Sequence, residues 1–228
     1  MKKCLISAVL LAASGNVLAQ DNFYIELLAG QAFHKIESSI QGDTLTKSDH
    51  YSNSETTSAP GLKLGYYFND TFAVELSHQD YGTPIKEQTF STSSTSENAN
   101  GETEEFTTLQ TYKRPISVKA YKLGIKAERE FLSDLYLNLG FGVAMWQYDD
   151  YTPQSLTNED VFTTGESGQD MYYSLGARYQ INQTFYVGVQ YSMLEIEQTT
   201  KFKPQYSTIL GSYKHQIQDV SFILGLNF

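Results

Sequence analysis

The side chains able to carry chemistry are few. The sequence holds four histidines, His34, His50, His78 and His215, and a single cysteine, Cys4. A histidine works as a general base when a carboxylate orients it, and it activates a hydroxyl when a serine shares its face. Only His50 has such neighbours, with Asp49 before it and Tyr51-Ser52 after it. A second acidic pair, Asp149-Asp150, offers carboxylates that could join an Asp–His pair in activating water. Adjacent residues on an extended strand point to opposite faces, however, so adjacency alone aims neither pair at one substrate. His34, His78 and His215 stand apart from one another near segment ends, where interfacial solvation accounts for them. No cluster of His, Asp and Glu has metal-ligand spacing, and no glycine-rich phosphate loop occurs. The expectation is a protein that is not an enzyme, with no catalytic residue, metal or cofactor.

A second set of charged residues sits in apolar surroundings: Glu26, Lys63, Glu75, Lys122, Lys126, Glu128 and Arg178. Each occupies a segment in which apolar and polar residues alternate with a period of two, the signature of a strand with two unlike faces. Eight such segments cover about residues 23–34, 61–68, 72–79, 121–128, 135–146, 171–181, 185–193 and 219–228. The longest sets Leu135, Leu137, Leu139, Phe141, Val143 and Met145 against Tyr136, Asn138, Gly140, Gly142, Ala144 and Trp146. One face of nearly every segment is aliphatic and aromatic; the other is glycine, small polar or charged. A soluble sandwich would turn that glycine-rich face to water, where glycine only weakens the strand. Inside a narrow barrel the same glycines leave room for Tyr, Lys and Glu from the opposite walls. The predicted fold is all-β, an eight-stranded antiparallel up-and-down transmembrane β-barrel. Its apolar face meets lipid, and its charged face forms a lumen network in which Glu75 reaches lysines of the second and fourth strands. Burial in a narrow interior costs several kcal/mol per unpaired charge, so pairing is required.

The links alternate in length. Those after the second, fourth and sixth segments are short, around residues 69–71, 129–133 and 182–184, whereas residues 36–58, 82–115, 149–168 and 197–215 form long connections. Long outer loops and short periplasmic turns are the outer-membrane pattern. Phe68 and Phe72 must share the lipid face, which makes Asn69-Asp70-Thr71 a three-residue link; Ile181 and Phe185 impose the same on Asn182-Gln183-Thr184. Residues 90–112 are dominated by Ser, Thr, Glu and Asn and bury too little to order themselves, unless as a short hairpin extending the wall. Tyr112, Trp146, Tyr148, Tyr151, Tyr206 and Tyr213 fall near outer strand ends or in these connections, as an aromatic girdle or a binding surface.

Lys2 and Lys3, the apolar run from Cys4 to Ala13 and the small-residue end Val17-Leu18-Ala19 read as a secretory signal peptide over residues 1–19, leaving a barrel domain over residues 20–228. Its loss would remove the only thiol and leave 14 basic against 26 acidic residues. That acidity argues against nucleic acid as a partner. The apolar run is also too short to cross a ~30 Å hydrocarbon core as a helix.

The run Gly65-Tyr66-Tyr67-Phe68-Asn69-Asp70-Thr71-Phe72-Ala73-Val74-Glu75-Leu76 resembles the second hairpin of the OmpA-like transmembrane domain and related small outer-membrane barrels. A similar rhythm recurs between Leu175 and Val189. The ending Phe222, Leu224, Leu226, Phe228 looks like the C-terminal signal read by the outer-membrane assembly machinery, with Leu226 where an aromatic is often found. No residues follow that strand, so the cell-wall-binding domain of full-length OmpA is not carried over. The bare barrel is similar to the OmpX–Ail group and to AcfA-type colonisation factors. The resemblance implies a monomer in the outer membrane of a Gram-negative bacterium, contacting lipid and lipopolysaccharide. It also implies adhesion or colonisation through the long loops, with a host surface or matrix ligand as partner. The alternative is a narrow, porin-like channel or a passive membrane-stabilising barrel. Protease-type barrels resemble longer, ten-stranded chains.

Overall fold

A computed structural model of the chain describes residues 22–42, 49–97, 103–152, 162–202 and 209–228, with side chains at 22–37, 54–85, 115–149, 166–197 and 214–228. The signal segment expected over residues 1–19 lies outside the described residues. Ten strands follow one another: β1 (Phe23–Gly42), β2 (Asp49–Ser58), β3 (Gly61–Tyr67), β4 (Phe72–Asp80), β5 (Ile85–Glu97), β6 (Thr103–Leu132), β7 (Leu135–Thr152), β8 (Phe162–Gln180), β9 (Phe185–Phe202) and β10 (Ile209–Asn227).

These ten make eight wall strands. β2 and β3 pair in succession along one edge of β1, and β4 and β5 in succession along one edge of β6, so each couple is one wall strand interrupted by a break. All pairs are antiparallel between chain neighbours, and β10 returns to β1 to close the ring, from Tyr24 opposite Asn227 to Gly42 opposite Ile209. At the seam's lower end, Phe228 N donates to the Phe23 carbonyl at 2.8 Å. The up-and-down barrel expected from the period-two pattern is the observed fold.

Period two sorts the faces as read. Phe72, Val74 and Leu76 lie exposed while Ala73, Glu75 and Ser77 between them are buried; Leu139, Phe141 and Val143 alternate likewise with Asn138, Gly140 and Ala144. The exposed residues join into a belt of Phe, Leu, Val, Ile and Tyr around the outside. Such a continuous apolar surface would drive aggregation in water, and it suits a lipid bilayer.

Two of the short turns are three residues long and identical in construction. Asn69 Oδ1 accepts from Thr71 N at 2.9 Å and Phe72 N at 2.8 Å, and Asn182 Oδ1 accepts from Thr184 N and Phe185 N, both at 2.9 Å. Phe68 and Phe72 consequently emerge on the same side and stack at 6.1 Å. The middle turn is tighter than the expected span 129–133. β6 continues to Leu132, and Ser133-Asp134 make the turn with Asp134 at φ 67°, a conformation open to Asp more readily than to bulkier residues. A register shift between Glu130 and Leu132 absorbs the odd residue.

The four long connections are mostly strand rather than loop. β1 pairs with β2 out to Ile40–Asp49, β5 with β6 from Ile85–Pro115 to Glu97–Thr103, β7 with β8 to Thr152–Phe162, and β9 with β10 to Phe202–Ile209. Ser and Thr are poor at forming a core yet compatible with a strand whose main chain is satisfied by a neighbour. Roughly ten residues of a tilted strand cross the membrane. β1 has 20 residues and β6 has 30, so about half of β1 and about two thirds of β6 stand clear of it.

Candidate functional site

The seven charged residues singled out in the sequence are all buried inside the barrel. Six form one network nearer the short-turn end. Lys63 Nζ lies 3.0 Å from Glu26 and 3.5 Å from Glu75, and donates to Gln190 at 2.6 Å. Lys126 Nζ lies 3.6 Å from both Glu75 and Glu128. Arg178 holds Glu128 with both arms of its fork, Nε to Oε2 at 2.9 Å and Nη2 to Oε1 at 2.6 Å, a geometry only a planar guanidinium offers. Four tyrosines surround these charges. Tyr24 donates to Glu75 at 2.5 Å, Tyr67 to Glu128 at 2.6 Å and Tyr186 to Glu26 at 2.9 Å, while Arg178 lies between the rings of Tyr136 and Tyr186 at 4.4 and 4.6 Å. Glu75 thus meets the lysines of the second and fourth wall strands, Lys63 and Lys126.

The rings need space, and glycines on the paired strands supply it. A Cβ on Gly65 would stand 2.0 Å from the Tyr24 ring, and one on Gly225 2.1 Å from the Tyr186 ring. Gly65 is the direct cross-strand partner of Tyr24, as Gly225 is of Tyr186. These two glycines make room for neighbours on the adjacent strand, whereas Gly124 accommodates the Tyr172 hydroxyl from a strand beyond its neighbour, where a Cβ would stand 2.2 Å from it.

Lys122, the seventh residue, belongs to a separate group with Asp219, 3.8 Å away. It donates to Gln79 at 3.0 Å and Ser192 at 3.1 Å, while Asp219 accepts from Gln79 at 3.1 Å, from Ser221 at 3.0 Å and from Ser192. Asp219 falls on the inward face by alternation, yet the sequence-derived set omits it. With it, four buried acids face four buried bases, so the buried charges of the described lumen balance although the chain is strongly acidic.

Above this group the lumen turns apolar and aromatic. Ile36, Tyr81, Ile116, Val118, Trp146, Tyr148, Leu194, Ile196 and Ile217 are all buried there in one cluster. Within it lies an arrangement with no counterpart in the sequence reading. His34 Nδ1 and His215 Nε2 are 2.9 Å apart, Tyr148 Oη is 2.6 Å from His215 Nδ1, and His34 Nε2 is 3.1 Å from the Tyr81 carbonyl. His34 Nε2 also lies 2.8 Å from Thr57 Oγ1, whose own proton goes to that carbonyl; both partners therefore accept, and His34 Nε2 carries a proton. In a neutral ring His34 Nδ1 then accepts from His215 Nε2, and His215 Nδ1 accepts from the Tyr148 hydroxyl. Both imidazoles fit this chain as neutral rings.

This arrangement corrects two expectations. His34 and His215 are not solvated at strand ends; they are buried inside because the strands run further than the apolar alternation implies. Trp146 and Tyr148 likewise face inward, packed 4.9 Å from each other, with Trp146 Nε1 donating to Asp170 at 2.7 Å. His78 does lie on the outer face, against the Tyr121 ring at 4.5 Å. Asp149 accepts from Gln147 at 3.3 Å. The side chains of Asp49, His50, Tyr51, Ser52, Asp150, Tyr112, Tyr151, Tyr206 and Tyr213 lie outside the described residues. Among the described residues no group of three or more His, Cys, Asp or Glu could hold a metal ion. Phe222, Leu224 and Phe228 are exposed on the lipid face of β10, with Leu226 half-buried.

Residues 5–227 match the family model of the outer membrane protein beta-barrel domain. The chain belongs to this family. As an outer-membrane barrel its relatives in structure are remote in sequence. Outer membrane protein OprG from Pseudomonas aeruginosa shares 13% identity with a TM-score of 0.60, over 91% of this chain and 96% of that one. The outer membrane protein AlkL shares 10% with a TM-score of 0.50, over 94% of each chain. The outer membrane protease OmpT from Escherichia coli shares 9% with a TM-score of 0.49, over 93% of this chain and 99% of that one. At these identities the likeness is one of fold. No curated protein matches the sequence.

Proposed function

We propose that this outer-membrane barrel is a non-enzymatic surface protein whose wall extensions contact host or environmental partners. The observation that carries the reading is the division of the molecule into a lumen packed with charge pairs and aromatic rings and long paired strands that run on beyond it. Charge pairs fill the lower interior and packed aromatics the upper, while β5 and β6 alone stay paired over thirteen rungs beyond the break in the wall. A narrow channel would be expected to keep a polar path through both halves, and the apolar and aromatic side chains buried in the upper half disfavour one. Residues 1–19 would be removed on export. The mature barrel, as a monomer, would sit among lipid and lipopolysaccharide after insertion by the assembly machinery through its C-terminal strand. The test is adhesion of a non-adherent bacterium displaying the barrel, with and without residues 90–111, to epithelial cells and matrix proteins. Adhesion that vanishes with the deletion supports the reading. Absent adhesion together with conductance in planar bilayers would move the assignment to a channel, and absence of both to a passive membrane-stabilising barrel.

A further inference from the structure

Among the described residues the wall parts between neighbouring strands in more than one place: β8 and β9 pair only up to Tyr172–Leu194, and a second split, above β3 and β4, is built by proline and glycine. β3 and β4 are joined up to Gly61–Gln79, and the next rung is the last: Asp80 N donates to the Pro60 carbonyl at 3.0 Å, but Pro60 has no N–H to return. Above it the two halves part. Ala59 N turns to the Gly30 carbonyl at 2.8 Å, keeping β2 on β1. Tyr81 N donates to Val118 O at 2.8 Å and Ile116 N to Pro84 O at 2.8 Å, keeping β5 on β6. Gly82 allows the swing, with φ 76° and its α-carbon too close to Thr57 for a Cβ. Among the described residues no rung joins β2 to β5.

The vertex of this split is finished by side chains. Thr57 Oγ1 donates to the Tyr81 carbonyl at 2.5 Å, and the Ile85 N–H is met by the carboxylate of Glu55 where a ladder would supply a carbonyl. Beyond the vertex, β2 pairs only with β1 and β5 only with β6 among the described residues, so each keeps one unpaired edge on the side of the slot that opens there. Because Ala59 bonds to β1 and Pro84 to β6, alternation of the ladders turns the main-chain groups of Ser52, Ser54, Thr56 and Ser58 on β2, and of Glu87, Thr89, Ser91 and Ser93 on β5, toward the slot. Native proteins usually cover or distort such edges, because they are templates for another strand. Neither β2 nor β5 contains a proline, the residue that would disable the edge.

We propose that the slot between β2 and β5 is a strand-addition site for an extended, basic polypeptide segment of a partner protein. The main-chain groups of the edges supply the affinity, as in other β-augmentation complexes. Charge selects the partner: residues 36–60 and 81–115 together carry nine Asp and Glu against four Lys and Arg. β2 runs toward the membrane and β5 away from it, so the incoming strand is antiparallel to one edge and parallel to the other. This inference rests on the surface-contact reading and names its site.

The test uses the full mature barrel in nanodiscs and a terminally blocked ten-residue peptide alternating lysine and threonine. Saturable binding is expected, weakened at least tenfold when alternate peptide nitrogens are methylated at unchanged charge. Thr89→Pro with Ser91→Pro should weaken it similarly, since these nitrogens face the slot and leave the β5–β6 ladder intact; retained heat-modifiable gel migration certifies the barrel. Binding indifferent to N-methylation would reduce the effect to charge attraction and overturn the proposal. So would absence of saturable binding, or cross-linking that finds a second copy of the chain in the slot. Adhesion lost on deleting residues 90–111 but kept in the proline variant would retain the surface-contact reading and sink this site.

Discussion

The most informative residues are those whose neighbours leave them no alternative. Lys122 is buried, and among the described residues Asp219 is its only acidic partner within 4 Å. Asp219→Asn strands that charge, and removal of one member of a buried pair costs about 3–5 kcal/mol. The expected outcome is a matching loss of unfolding free energy in urea titrations of the lipid-reconstituted barrel, with Asp219→Asn/Lys122→Met recovering most of it. The histidine chain makes a pH prediction whose sign follows from donors and acceptors alone. Adding a proton to His34 Nδ1 would set it against the His215 Nε2–H, and adding one to His215 Nδ1 would turn away the Tyr148 hydroxyl. Acid should therefore open the chain and neutral pH restore it. Trp146, the single tryptophan, packs on Tyr148 and reports the event. Its emission should change reversibly on acidification, and the change should be absent in His34→Gln/His215→Gln; an unchanged titration in that double variant would refute the assignment.

At the scale of single elements, the turns govern which face each strand shows. In both Asn-x-Thr turns one asparagine side chain holds two main-chain N–H groups, so Asn69→Ala and Asn182→Ala should each cost about 1 kcal/mol. Inserting one residue after Asp70 is a different perturbation, because a one-residue slip turns Phe72, Val74 and Leu76 into the lumen and Glu75 into lipid. That insertion should abolish assembly, read as loss of the heat-modifiable band. Parity was legible in the sequence because two aromatics flank each turn and both needed lipid. Strand length was not. Alternation of apolar and polar residues marks only the part of a strand that meets lipid, whereas β5 and the outer half of β6 are held by main-chain bonds that serine and threonine permit without advertising. The same blindness hid His34 and His215, whose burial depends on strands continuing past the belt. The wall break was foreshadowed by Pro60 and Pro84, but only pairing partners give a proline its meaning.

At the scale of the whole molecule, sealing and projection make separable predictions. Purified barrel in planar bilayers should show no stable conductance at neutral pH. Trp146→Ala/Tyr148→Ala, which hollows the upper interior, should raise conductance if the aromatic cluster is the seal and leave it unchanged if the charged layer beneath suffices. The fold class, the lipid face and the identity of most lumen charges followed from period two. The sequence set, three acids against four bases, already made the lumen nearly neutral; Asp219, between Gln218 and Val220, is the buried charge it lacked.

The seam between β1 and β10 joins residues at opposite ends of the sequence, from Tyr24–Asn227 to Gly42–Ile209. A ring fastened only by its first and last links has no partial version. Until the final strand arrives, the growing sheet exposes two long edges and an oily flank, and the contacts that close it span nearly the entire chain. Such topology is slow to assemble unaided. The whole chain must therefore be present before the ring can close, and a chain shortened by a single terminal strand should fail as a unit instead of surviving as a smaller barrel.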